Sequence, residues 1–166
     1  ASGAGPSHEQ RILRVWSHGL PRLQGKRPAE NFFPAPLMAA LPAIEAELAG
    51  LARIQTQHTA ADGSERLLVA LADGQTVESV LLPREGVCVS SQVGCAVGCL
   101  FCMTGQGGLL RQVQSAEIVA QVALARARRP VRKVVFMGMG EPAHNLDNVI
   151  EAIDFLGTVG NIGHKN

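Results

Sequence analysis

The stretch VCVSSQVGCAVGCLFCMTG, residues 87–105, holds all four cysteines of a 166-residue chain: Cys88, Cys95, Cys99 and Cys102, with gaps of six, three and two residues. Four thiols this close constrain the chain more than any other feature. In a reducing compartment they read as metal ligands or catalytic thiols rather than disulfides. That compartment is expected here. No apolar run reaches the roughly 18 residues a membrane span needs. The opening ASGAGPSHEQ has neither the charged start nor the apolar centre of a secretory signal. The chain is therefore read as cytoplasmic, with no membrane partner.

At 46% apolar and 17% charged residues the chain can bury the core of one globular domain with a small appendage. A net charge of +1 gives no global argument for a nucleic-acid partner, although five of the fifteen basic residues fall in RARRPVRK, residues 126–133. Residues 1–50 read as a helical accessory module, with Ile12, Val15 and Trp16 at helical spacing and a second apolar helix stopped by Gly50. Residues 51–86 read as a short antiparallel meander with turns at Asp62-Gly63, Asp73-Gly74 and Pro83-Arg84-Glu85-Gly86. Residues 87–166 read as two βα units. A strand near 87–91 leads into the cysteine loop and a helix with Ser115 as N-cap and Glu117 in its first turn. The strand VVFMGM follows, then a helix with Leu146, Val149, Ile150, Ile153 and Leu156 on one face. The fold class is α/β with parallel pairing.

Cys95, Cys99 and Cys102 form C-x3-C-x2-C on a glycine-containing loop, a spacing that lets three thiolates converge as iron–sulfur clusters require. A four-iron cube held by three cysteines leaves one iron for an exogenous ligand. Zinc with Cys88 as a fourth ligand is the alternative, and uncoordinated thiols are a third. Structural zinc usually recruits two short-spaced pairs, whereas Cys88 lies seven positions upstream in an apolar strand. GMGEP, residues 138–142, directly follows the strand VVFM, where ligands collect in α/β sheets. Gly138 and Gly140 would let main-chain groups approach a polar ligand head, with Glu141 beside them. An ordinary strand-to-helix turn is the plainer reading.

Together the motifs resemble the radical S-adenosylmethionine superfamily. CVSSQVGC, FCMTG and VVFMGMGEP resemble in particular the RlmN/Cfr family of RNA adenine C2 methyltransferases, and HEQRILRVWSHG is more loosely similar to that family's N-terminal helical domain. The resemblance implies the beginning of a partial (β/α) barrel. It implies a [4Fe-4S] cluster on Cys95, Cys99 and Cys102, with S-adenosylmethionine on the fourth iron and its methionine moiety held by Gly140 and Glu141. It implies methylation of carbon 2 of adenine in 23S ribosomal RNA, with tRNA as a second candidate substrate, through a methyl-carrying cysteine, with an electron donor such as flavodoxin. Cys88 would then be a mobile thiol that takes the proton from the RNA adduct and closes a disulfide on the methyl-carrying cysteine. Glu78, on a strand face with Val80 and Leu82, would be an acid or base whose pKa apolar neighbours raise.

The remaining candidates favour plainer roles. The basic residues Arg126, Arg128, Arg129, Arg132 and Lys133 suit either RNA phosphates or the end of a helix. His144 and His164 read as surface residues, Phe101 and Met103 as shields for the cluster, and Trp16 as core of the helical module. About six βα units make a partial barrel, and only two are present here, with no cysteine after Cys102. The chain is therefore expected to be the N-terminal portion of a longer enzyme and inactive alone, with a degenerate relative as the alternative. Two other functions stay open: a radical S-adenosylmethionine enzyme acting on a small molecule or peptide, and a non-enzymatic zinc- or RNA-binding module.

Overall fold

In the computed structural model, residues 3–20 and 28–163 are described. Two helices come first, α1 (Pro6–Ser17) and α2 (Ala35–Gly50). His164 lies outside the described residues. A meander follows: β1 (Ala52–Thr59), β2 (Glu65–Leu71), β3 (Thr76–Leu82) and β4 (Gly86–Cys88), each antiparallel to the one before. The Asp-Gly turns form as their chemistry dictates. Gly63 and Gly74 take φ of 81° and 84°, and the Asp62 and Asp73 carboxylates each accept the amide two residues on, at 3.0 Å. The third turn is tight and uses no glycine in its left-handed positions: Arg84 and Glu85 sit at φ 62° and 59°.

Beyond β4 the chain makes a small antiparallel ribbon, β5 (Gln92–Gly94) with β6 (Leu109–Gln112), whose connection is the cysteine loop. Sequence periodicity gave no sign of it, since three- and four-residue strands are too short to show alternation. Helix α3 (Ser115–Arg126) then returns the chain to β7 (Lys133–Val135), which lies parallel to β4. The helix begins one residue earlier than expected: Gln114 is the N-cap, and Glu117 reaches back to accept its amide at 2.8 Å. The sheet order is β1-β2-β3-β4-β7. This is an α/β fold in which an antiparallel meander runs into the first parallel βαβ step of a barrel, followed by α4 (Leu146–Thr158).

The core lies on one face of the sheet. Val77 and Leu81 of β3, Leu67, Val69 and Leu71 of β2, and Val87 and Val89 pack with Ile118, Val122 and Ala125 of α3. Burying these side chains stabilises the fold by roughly 1.5–3 kcal/mol each. Helix α4 contributes Val149, Ala152 and Leu156, while Leu146 and Ile150, expected on the same stripe, stay exposed. Trp16 does not join the small core of Phe33, Leu37 and Leu41 near α2. It packs across onto Phe155 of α4, ring centroids 6.4 Å apart, and so ties α1 to the main core.

Candidate functional site

The cysteine loop is closed at its neck. The Cys95 amide donates to Gly108 O at 3.0 Å, and a Cβ on Gly105 would stand 3.1 Å from Gly98 Cα, so the loop folds back on itself. A turn closed by Cys102 N donating to Cys99 O, 3.0 Å, puts those two cysteines at its ends. Cys95 is buried, Cys102 half-buried and Cys99 exposed. Hydrogen bonds from the Thr104 hydroxyl and backbone lower the pKa of Cys102. Among the described residues no three Cys, His, Asp or Glu side chains are gathered within reach of one ion. The three thiols thus share one tether without converging.

The donor set still fits an iron–sulfur group better than zinc. Between Cys95 and Gly108 the loop offers three thiols and no carboxylate or imidazole. Cys88, the fourth thiol zinc would want, is fixed in the other sheet, paired with Val80 on one side and Val135 on the other. Drawing it to the loop would break the middle of the five-stranded sheet. Leu100, Phe101 and Met103 are exposed on the loop, Leu100 and Phe101 almost completely. Phe101 and Met103, expected as shields for the cluster, thus stand at the loop's surface.

Cys88, expected as a mobile thiol, is the last residue of β4. It is buried, with backbone held on both sides, so its reach is that of its side chain alone. Burial raises its pKa, opposed by a backbone hydrogen bond with Met137. Because Cys88 stands opposite Val80, the two side chains leave one face of the sheet, and Glu78 shares that face. Ser79, pointing the other way, bonds Gln121 of α3. Cys88 and Glu78 therefore lie on the face turned away from α3. The apolar enclosure expected around Glu78 is absent: its side chain is 43% exposed and 3.6 Å from Arg66.

GMGEP is clamped to the segment between Cys88 and Cys95. Met139 O accepts from the amides of Ser91 and Gln92, at 2.9 and 3.2 Å, and Met139 N donates to Ser90 Oγ at 2.8 Å. The Glu141 amide donates to Gln92 Oε1 at 2.8 Å. Both glycines are demanded by this contact. A Cβ on Gly138 would come within 2.7 Å of Ser90 Oγ, and one on Gly140, whose φ is 95°, within 2.4 Å of Gln92 Cβ. Close chain-to-chain packing is by itself sufficient reason for each position to lack a side chain. The Glu141 carboxylate caps the next turn, accepting from Ala143 N at 3.0 Å.

Ser90, Ser91 and Gln92 were not picked out from sequence for these roles: the polar run directly after an apolar strand was visible there, but not its complete burial or its partners. The basic cluster is mostly structural. Arg128 pairs with Glu65 at 2.8 Å, Arg129 donates to Gly63 O and Leu82 O, and Arg126 donates to Ser17 O and Val131 O. Arg132 pairs with Glu85 at 3.1 Å. His144 is exposed, as expected.

Comparison with known proteins sets these features in context. Residues 89–162 match the radical SAM superfamily. The whole chain is 72% identical to a probable RNA methyltransferase of Aromatoleum aromaticum and 72% identical to one of Methylibium petroleiphilum, covering 47% of each. The chain thus spans about half the length of the curated relatives it matches. A solved radical SAM methyltransferase from Sphaerobacter thermophilus superposes with a TM-score of 0.65 at 34% identity, over 87% of this chain and 44% of that one. The segment that carries the cysteine loop and the GMGEP turn is thus the part that matches the radical SAM superfamily, in a chain similar throughout to about half the length of proteins named as probable RNA methyltransferases.

Proposed function

We propose that this chain is the N-terminal portion of a radical S-adenosylmethionine enzyme that methylates carbon 2 of adenine in 23S ribosomal RNA and in tRNA. The observation that carries the reading is the clamp between the cysteine loop's entry strand and GMGEP, through Ser91, Gln92, Met139 and Glu141. It couples three clustered thiols to a strand-end turn suited to a polar ligand. In this reading Cys95, Cys99 and Cys102 hold a [4Fe-4S] cluster, and Gly140 and Glu141 hold the amino-acid end of S-adenosylmethionine. When bound, the two groups supply one-electron chemistry that activates an unreactive C–H bond. Residues 1–50 are a helical accessory module, 51–86 the meander, and 87–166 the first two βα units. The remaining units extend the sheet from β7, which among the described residues pairs with β4 alone.

Cys88 takes the proton from carbon 2 of the adenine adduct. Its sulfur then attacks that of a methyl-carrying cysteine outside this chain, the carbon–sulfur bond to the RNA breaks as the disulfide forms, and the released carbon takes up the proton as the methyl group. Glu78 shares the Cys88 face and serves as its acid–base partner. The enzyme works in the cytoplasm, with a flavodoxin-type electron donor.

The test uses protein produced at the full length of its relatives, ribosomal RNA or tRNA, and methyl-labelled S-adenosylmethionine. Digestion to nucleosides should place the label on carbon 2 of adenosine. Label on a base nitrogen or a ribose, or RNA left unlabelled while a small molecule or peptide is modified, contradicts it.

A further inference from the structure

Gln92 is wholly buried, yet its carboxamide makes contacts that the packing of the core does not require. Oε1 accepts from the Glu141 amide at 2.8 Å, and Nε2 donates to Gln112 Oε1 at 2.9 Å. Gln112 in turn donates through Nε2 to His144 O at 2.8 Å. The relay thus runs from one side of the GEP turn to the other, Glu141 at one end and His144 at the other. Its geometry leaves no choice over which carboxamide atom of Gln92 faces the turn. The Glu141 N–H must meet oxygen, and Gln112 fixes that orientation by taking the amide nitrogen.

The peptide joining Gly140 to Glu141 is trans, as are the other described peptide bonds. In a trans peptide the carbonyl points opposite to the N–H. With the Glu141 N–H directed inward to Gln92, the Gly140 carbonyl is directed outward. No described residue donates to that carbonyl. The bond from the Glu141 amide to Gln92 Oε1, 2.8 Å, is what holds this peptide the same way up. The result is a backbone acceptor held in a fixed direction at the end of a strand, which suits an ammonium group.

We propose that Gln92 is a positioning residue. Through the Glu141 amide it fixes the Gly140 carbonyl as an acceptor for the ammonium of the bound amino-acid moiety, and Gln112 fixes Gln92. The inference rests on the S-adenosylmethionine reading of GMGEP given above and adds a residue to it. Gln92→Leu removes both hydrogen bonds at similar volume, whereas Gln92→Glu keeps an oxygen for the Glu141 amide and lets Gln112 turn its own amide nitrogen towards it.

Two measurements on full-length protein test it: hydrogen exchange of the Glu141 amide without ligand, and affinity for S-adenosylmethionine under non-reducing conditions, with iron content and thermal midpoint as controls. Gln92→Leu should speed Glu141 exchange and weaken binding about tenfold, the effect of one lost hydrogen bond to a charged ligand. Gln92→Glu should recover binding to within about threefold. Should Gln92→Leu fail to fold, Gln112→Leu takes its place, with faster Glu141 exchange and weaker binding expected. Parent-like affinity in Gln92→Leu or its replacement, or equal loss in Gln92→Leu and Gln92→Glu, overturns the positioning role while leaving the ligand reading intact. A parent protein that binds no S-adenosylmethionine overturns the ligand reading, and this inference with it.

Discussion

Gln121 of α3 grips Ser90 from both sides: its Oε1 accepts the Ser90 amide at 2.9 Å and its Nε2 donates to the Ser90 carbonyl at 3.0 Å. The same Oε1 accepts from Ser79 Oγ at 2.9 Å. One buried carboxamide thus does for the end of β4 what a strand partner would do. Gln121→Leu should destabilise the protein by about 3 kcal/mol, because it leaves two buried backbone groups and a hydroxyl without partners. Urea denaturation measures this; a loss under about 1 kcal/mol would mean water or a shifted side chain replaces the amide.

Arg111 joins three elements. Its guanidinium meets Glu117 of α3 through two bonds of 2.8 Å and Asp73 of the second hairpin turn at 2.7 Å. Glu117 is buried, so Arg111→Leu leaves an unpaired interior carboxylate and should cost about 3 kcal/mol. Arg111→Lys should recover only part, since the two-pronged geometry is lost.

The same arginine sets an acid dependence. Its hydrogen bond holds the Asp73 carboxyl below the ordinary value, with the Gln75 amide adding to the effect. A depressed carboxyl contributes stability above its unfolded pKa, roughly 3.9, and loses it as pH falls through the lower folded value. The thermal midpoint should therefore drop below about pH 4, and the drop should be shallower in Asp73→Asn. An unchanged acid limb in that variant contradicts the assignment.

Much of the fold was legible because its signals are local. Asp-Gly pairs placed two hairpins, and a long apolar repeat placed α2. Ser115 was displaced as N-cap because the Glu117 carboxylate reaches the Gln114 amide, a one-residue choice that spacing cannot decide. The cysteine loop was legible as spacing, but its exposure was not, since apolar Leu100 and Phe101 give no local sign of standing in solvent. The buried Ser90, Gln92 and Gln121 were illegible for another reason. A polar residue in sequence does not say which distant group it serves, and here the partners stand 12 to 49 positions away.

The turn before β4 carries removable strain. Arg84 and Glu85 both occupy the left-handed region, which Asn and Gly enter at lower cost. Replacing the pair by Asn-Gly should raise stability by about 1 kcal/mol, less whatever the Glu85–Arg132 pair contributes. Chemical denaturation decides it, and a net loss would show that the ion pair outweighs the backbone.

Cys88 offers a test of substrate chemistry separate from cofactor binding. In full-length protein, Cys88→Ala should bind iron and S-adenosylmethionine as the parent does, yet accumulate a covalent protein–RNA species on denaturing gels. Prompt release of RNA by that variant would remove the role given to this thiol.

Iron and acid-labile sulfide in anaerobically reconstituted full-length protein test the division of the four thiols most directly. About four irons per chain are expected, lost when any one of Cys95, Cys99 or Cys102 is replaced by Ala and retained in Cys88→Ala. Stoichiometric zinc without iron, or an iron loss in Cys88→Ala equal to that of the other three, would contradict it.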